Sequence, residues 1–352
     1  MNIFRSAATA LLAITLTACS PQQWHQDNGV TWGTSYHIKY KSDRPLTDSI
    51  IAEMQRIESL FSFHDPKSEI SRINQGASDS TAFYAVSTEM RQLILAAQKV
   101  SLMSGGAFDP TVGPLVDLWG FGRDKTPRDS LDRYFAPAQS RLDSALRLVG
   151  IADCRLTPKG LIKKHPGTRF DFSGIAKGYG VDCVARALER CGVTDYMVEI
   201  GGEIAVRGQN DRGDTWTISI DDPLAGSYTA PGVASIGRVS IAHGAVATSS
   251  NSRNRHTLTD GRIVGHSISP ADGQPFASDI LSATILSSDC TMADAIATAC
   301  MCMPPDAACQ MLRDNDIAAL LVIARPDSPQ SPQIWTSPTW PDNGVAFKSV
   351  HE

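Results

Sequence analysis

Apolar residues recur along this chain at two spacings, and the switches between them mark its elements. A spacing near 3.6 runs through Ile50, Ile51, Met54, Ile57, Leu60 and Phe61. It predicts a helix capped by Thr47 and ending over Ser62 to Pro66. The same spacing returns behind Ser87 at Leu93, Ile94, Ala97 and Val100, and over Ala138 to Leu148. It returns again from Ala176 through Tyr179, Cys183, Val184, Ala187, Leu188 and Cys191 to a stop at Gly192. A last helix runs from about Thr291 to Met303, stopped by Pro304-Pro305. Alternation marks strands. From Val30 to Lys41 it passes through Trp32, Tyr36, Ile38 and Tyr40, broken at Gly33-Thr34, which predicts one strand with a bulge. Tyr196 to Ile200 and the residues through Ile204 and Val206 flank a glycine pair, short alternating pieces fill Trp216 to Ala247, and Ala283 to Leu286 forms a further strand. Leu118 to Ala136 reads as a polar loop.

Five stretches carry candidate chemistry. An alternating run from Arg169 stops at Asp171-Phe172-Ser173-Gly174-Ile175-Ala176-Lys177-Gly178, which reads as strand, tight turn and helix start. A helix start presents unpaired N–H groups, so Gly174, Lys177 and Gly178 suit a phosphate. The same residues also suit a plain strand-to-helix connection with a solvated lysine. Gly105 to Val116 holds three glycines and two prolines around Phe108, a ring for stacking, and Asp109, either a hydrogen-bond acceptor for a ligand or a turn residue before Pro110. Thr248-Ser249-Ser250-Asn251 offers four hydrogen-bonding side chains, and His266 precedes a turn as a candidate base. On the last helix Asp294, Ala297 and Thr298 share a face among apolar neighbours. A buried carboxylate needs a partner or a metal, and carboxylate with hydroxyl suits a hard cation such as Mg²⁺ better than zinc; helix-dipole stabilisation is the alternative.

Composition adds the setting. A short charged region ends at Arg5, an apolar run spans Ala7 to Leu16, and Leu16-Thr17-Ala18-Cys19 follows. The run is too short for a bilayer span, so residues 1–18 read as a lipoprotein signal, Cys19 as the lipidated residue and 19–29 as a tether. The expectation is a bacterial protein anchored at a membrane surface outside the cytoplasm, on the periplasmic side. Net charge is −5 with both signs interspersed, which leaves no basic stripe for nucleic acid. The other seven cysteines, at 154, 183, 191, 290, 300, 302 and 309, match no zinc spacing and read as buried thiols or one or two disulfides.

Four segments together resemble the ApbE-type FAD:protein FMN transferases. They are S-G-G-A-F-D-P-T-V-G-P-L-V at 104–116, D-F-S-G-I-A-K-G-Y-G-V-D at 171–182, V-E-I-G-G-E-I at 198–204 and A-D-A-I-A-T-A at 293–299. They occur in the family's order over about Thr31 to Leu321. The resemblance implies an α+β fold of mixed and antiparallel sheets with packed helices over 30–325, followed by a Pro-rich tail over 326–352. It implies an enzyme that moves the FMN half of FAD onto a threonine or serine hydroxyl of an extracytoplasmic target, such as a redox-complex subunit, with Mg²⁺ and release of AMP. By position it assigns FAD contacts to Trp32, His64, Ala107, Phe108, Asp109, Asp171, Lys177 and Ile268, and metal contacts to Asp294, Thr298 and the carbonyls of Gly174 and Ala297. His266 matches the histidine beside the transferred phosphate. Four positions, in three places, depart from the family. Trp32-Gly33-Thr34 replaces Met-Gly-Thr, His266-Ser267-Ile268-Ser269-Pro270 replaces His-Ile-Ile-Asp-Pro, and His64 stands where an aromatic ring is usual. These departures keep two alternatives open, a non-catalytic FAD-binding lipoprotein and a pyrophosphatase that gives FMN and AMP.

Overall fold

The computed structural model describes residues 22–76, 83–122, 128–129, 131–225, 234–250, 255–328 and 331–341. Cys19 with the signal before it, Asn251, and the chain from 342 lie outside the described residues.

The first two strands, β1 (Gln23–Thr31) and β2 (Thr34–Ser42), pair antiparallel down to Thr31↔Thr34. Only Trp32 and Gly33 remain for the turn, and both have left-handed φ, 51° and 77°. A two-residue turn of that hand matches the twist of its strands, so the interruption at Gly33-Thr34 is a hairpin and not the expected bulge. Helix α1 (Thr47–Phe61) buries Ile50, Met54, Ile57 and Phe61. Thr47 does not cap it, because its hydroxyl donates to Asp27 Oδ1 at 2.7 Å and Leu46 takes the cap position. After α2 (Glu69–Asn74) and β3 (Phe83–Tyr84), α3 (Thr88–Met103) begins under the Ser87 hydroxyl, which accepts from the Met90 N–H. Helices α4 (Gly113–Leu118) and α5 (Gln139–Leu146) follow, and β4 (Arg155–Thr157) and β5 (Gly160–Ile162) join β3 in a small sheet.

Residues 169–171 form no strand of their own. Arg169 makes one bridge to Val112, and the Asp171 N–H donates to the Pro110 carbonyl at 2.6 Å. The two glycine-rich stretches are thereby tied together before α6 (Ala176–Arg190) starts. The chain continues through β6 (Tyr196–Ile200), β7 (Glu203–Arg207), the hairpin β8 (Trp216–Asp221) and β9 (Ser235–Ile241), and β10 (His243–Ser250). A small pair, β11 (Arg255–Thr257) and β12 (Ile263–Gly265), precedes β13 (Ile280–Ser287), α7 (Cys290–Met301), α8 (Pro305–Asp314), β14 (Ala318–Ile323) and β15 (Gln333–Thr336). Pro305 thus ends one helix and opens the next, since its missing N–H costs nothing in a first turn.

One antiparallel sheet, ordered β1-β2-β6-β7-β10-β13-β14-β15, organises the α+β fold. Its two faces bury different partners. Ala247, Ala283, Ile285 and Leu321 pack against α3, α6 and α7, while Val198, Ile200 and Ala205 pack against α1 and α6. On the opposite face Val206, Val246, Leu320 and Val322 lie under Trp216, Ile218, Ile220 and Val239 of the β8–β9 hairpin. All seven described cysteines are free thiols and form no disulfide among the described residues; the five buried ones, Cys154, Cys183, Cys290, Cys300 and Cys309, help fill the core.

Helices α6 and α7 meet through a glycine. A Cβ at Gly178 would stand 2.3 Å from the Cys290 carbonyl oxygen and 2.8 Å from the Asp294 Cβ. Backbone cannot yield as a flexible side-chain tip can. Gly178→Ala is therefore expected to destabilise the protein by about 1–3 kcal/mol, seen as a lowered Tm.

Candidate active site

The first turn of α6, the start of β7 and the middle of α7 converge on a cavity of about 850 Å³. That volume lies in the range of sites for large ligands. Lys177 on α6 donates to Glu203 Oε1, and Glu203 opens β7 immediately after Gly201 and Gly202, both of which need positive φ for the tight turn. Asp294 on α7 accepts the Gly178 N–H at 3.0 Å through Oδ2. Glu203 and Asp294 are 3% and 2% exposed. Two buried carboxylates thus face one ammonium, and Glu203 Oε2 is buried without a hydrogen-bond partner.

That surplus of negative charge governs the local acid–base behaviour. Burial raises the Glu203 carboxyl to about 7; Lys177 opposes the rise and the Asp294 charge adds to it. Burial also raises Asp294 against the pull of Lys177. For Lys177 burial favours the neutral amine, but Glu203 and Asp294 outweigh it and hold the ammonium. A buried carboxylate without a full complement of partners is costly, so the cluster is poised to take a proton or a cation.

Oxygen donors extend the cluster. A Cβ at Gly174 would fall 2.7 Å from Thr298 Cγ2 and 2.9 Å from its Oγ1, so glycine alone lets this backbone reach Thr298. Ser249 Oγ lies 3.4 Å from Thr298 Oγ1. Gly174, Asp294 and Thr298 line the cavity, whereas Ala297 is fully buried within α7 one residue before Thr298. Among the described residues no cluster of three His, Cys, Asp or Glu side chains forms a metal site. The donors here are instead carboxylates, hydroxyls and peptide carbonyls, a set that fits a hard cation.

On the other wall Ala107, Phe108, Asp109, Asp171, His266 and Ile268 border the same cavity. Asp109 is largely occupied. Its Oδ1 accepts from the Thr111 N–H and hydroxyl at 2.8 and 2.6 Å and its Oδ2 from the Ile151 N–H at 2.9 Å, so it anchors the turn at the rim. Asp171 similarly accepts from the Ser173 N–H at 2.9 Å. His266 meets the edge of Phe121, centroids 6.3 Å apart, and Phe121 stacks on His256 at 3.9 Å.

Two expected flavin contacts stand elsewhere. Trp32 lies over Gly180 of α6, where a Cβ would come within 2.2 Å of its ring, and its indole N–H donates to the Met54 carbonyl at 3.2 Å. It packs into the core between α1 and α6, the usual fate of a tryptophan at a strand end. His64 is exposed and rests on Phe63, centroids 4.1 Å apart, and Phe63 borders the cavity in its place. Sequence reasoning missed Glu203 as a partner of Lys177, and Phe121, His37 and Glu199 as cavity residues. The signal for Glu203 was present in V-E-I-G-G-E-I, where a glycine pair delivers a carboxylate to a strand start.

The model of a family described as ApbE matches residues 32–321. A Vibrio cholerae protein named FAD:protein FMN transferase is 33% identical over 331 residues, covering 92% of this chain and 95% of its own length. A Haemophilus influenzae protein of the same name is 32% identical over 325 residues, covering 89% and 90%. Among solved structures, the flavin transferase ApbE from Vibrio cholerae superposes with a TM-score of 0.78 at 31% identity, over 91% of this chain and 99% of that one.

The raised Glu203 carboxyl has a measurable effect. A carboxyl that holds its proton more tightly folded than unfolded stabilises the fold below its ordinary value of 4.5, and that contribution is lost as pH rises through about 7. In chelator, the Tm of the wild-type protein is expected to fall more steeply between pH 5 and pH 8 than that of Glu203→Gln, as followed by differential scanning fluorimetry.

Proposed function

The chain belongs to the ApbE family, and from that we propose an enzyme that transfers the FMN moiety of FAD to a threonine or serine hydroxyl of a target protein. Its other product is AMP, the reaction depends on Mg²⁺, and the enzyme works outside the cytoplasm, held to the membrane by a lipid on Cys19. The observation that carries the reading is the pair of buried carboxylates, Glu203 and Asp294, on the half-buried ammonium of Lys177, beside Thr298, Ser249 and the flavin-sized cavity.

Transfer requires a new bond from the acceptor oxygen to the FMN phosphorus and rupture of the bond from that phosphorus to the bridging oxygen, which leaves with AMP. FAD carries its negative charge on the pyrophosphate, and Lys177, kept cationic by Glu203 and Asp294, attracts that charge to the α6 start. Phe108 offers an apolar wall for a ring, while Asp109 and Asp171 stiffen the turns around it. His266 stands at the cavity wall as the group that accepts the hydroxyl proton during attack. Asp294, Thr298 and the carbonyls of Gly174 and Ala297 would hold Mg²⁺, and the buried, unpartnered Glu203 Oε2 supports a nearby cation. When bound, the ion neutralises pyrophosphate charge.

The serine at 269 does not leave this loop unsupported. The Ser269 N–H donates to the Gln274 carbonyl at 2.8 Å, the Gly273 N–H to the Ser269 carbonyl at 2.9 Å, and the Phe276 N–H to the Ser267 carbonyl at 2.8 Å. Backbone bonds therefore position His266 without the family's aspartate, which favours a catalytic protein over a flavin store.

With FAD, Mg²⁺ and a threonine-bearing acceptor protein, the enzyme is expected to yield a covalent fluorescent flavin adduct and one AMP per adduct, read by in-gel fluorescence and chromatography. Asp294→Ala and Lys177→Ala should each lower the rate by about 100-fold or more. AMP and FMN formed without adduct would assign hydrolysis instead, and FAD bound with neither product would assign storage.

A further inference from the structure

Residues from both faces of the main sheet line the one cavity, and they meet at a notch in the sheet. The last β7–β10 pair is Ile204↔Val246 and the register sets Ala247 opposite Glu203, the first residue of β7, yet β10 continues to Ser250, so residues 248–250 extend past β7 with no strand on that side among the described residues. Side chains in this overhang alternate between the faces. Ala247 packs with the helices and Ser249 approaches Thr298, whereas Val246 packs under the hairpin, and Thr248 on that same face bonds Thr284 at 2.9 Å. Thr248, Ser249 and Ser250 nevertheless all line the cavity. The turn at Gly201-Gly202 divides in the same way. Val198 and Ile200 face the helices, and Glu203, paired with Ile200, joins them to meet Lys177. Met197 and Glu199 face the hairpin.

The site therefore has two arms joined at the notch. The helix-side arm holds Lys177, Asp294 and Phe108. The hairpin-side arm is bordered by His37, Glu199, Thr217, Ser219 and Asp222, and among the described residues lining it there is no Lys or Arg. A pyrophosphate belongs in the arm with the cation. What borders the other arm is a strand edge, since β8 pairs with β9 alone among the described residues while Thr217 to Ser219 and Asp221 line the cavity. A strand paired on one side offers its backbone to an added extended chain. At the notch Glu199 is fixed at both oxygens, by His37 Nδ1 at 2.6 Å and by the Gly202 N–H at 2.8 Å.

We propose that the acceptor protein docks as an extended segment along β8 in the hairpin-side arm, and that its hydroxyl side chain reaches through the notch to the FMN phosphate in the helix-side arm. The two substrates approach from opposite faces of the sheet. This rests on the transferase reading and adds to it the docking surface and the form of the partner.

Ser219 is exposed, so Ser219→Trp narrows the arm without burdening the core. With a threonine-bearing acceptor protein as probe, Ser219→Trp and Asp222→Arg are expected to raise the acceptor KM at least tenfold and leave the FAD Kd within twofold of wild type. Phe108→Ala is expected to do the reverse. Hydrogen exchange of amides 216–221 should slow on addition of the acceptor and remain unchanged with FAD alone. A wild-type acceptor KM in both hairpin variants, or a loss of FAD affinity matching that of Phe108→Ala, would overturn the two-face arrangement. Absence of any adduct from the wild-type enzyme would instead overturn the transferase reading and this inference with it.

Discussion

The contact between α6 and α7 at Gly174 and Gly178 is the constraint on which the rest of the site depends. Each glycine stands where a methyl group would strike the facing helix, at Thr298 and at Cys290 with Asp294 respectively. Because the helices touch at backbone distance, Asp294 reaches the Gly178 N–H and shares its buried space with Lys177 and Glu203. A wider spacing would admit water and relax the carboxylates. The close spacing keeps an uncompensated negative charge out of solvent, and that charge keeps Lys177 cationic although burial disfavours it.

Much of this was legible in the sequence because buried helices announce themselves. The run from Ala176 to Cys191 has one apolar face, and Asp294 is conspicuous as a carboxylate between alanines. Other features left a weaker trace. Strand β1 reads as polar because it is the edge of the sheet and only part of each side chain is covered, so alternation became visible only from Val30 and the hairpin looked like a bulge. Thr47 looks like a helix cap, but the hydroxyl found Asp27 across the hairpin, a tertiary partner that local spacing does not disclose. Trp32 occupies a position that family resemblance gives to a flavin contact, yet Gly180 opens a slot for the ring within the core. The pairing of Glu203 with Lys177 depends on β6 and β7 returning to the start of α6, which is a property of the sheet order.

Strand length, more than loop sequence, shapes the cavity. Helix-facing and hairpin-facing layers are ordinarily separated by a continuous sheet, with backbone hydrogen bonds closing every gap between strands. Here the tight turn at Gly201-Gly202 ends β6 and starts β7 short of the end of β10, and the opening exposes side chains from both faces to one space. Glu199 and Glu203, four residues apart in one turn, consequently serve opposite sides. The first is held by His37 and the turn backbone, and the second by Lys177.

This arrangement accounts for how a buried, charged centre can act on a hydroxyl that belongs to another protein. Burial of Glu203 and Asp294 on the helix side is what gives the cluster its electrostatic strength. An acceptor that stays on the far face and sends one side chain through the notch leaves that burial intact. The hydroxyl would then reach the phosphate at the border between the charged cluster and the open strand edge, beside the serine and threonine side chains of the β10 overhang. His266 borders the same cavity, so the proton acceptor we propose would stand within the one space that both substrates share.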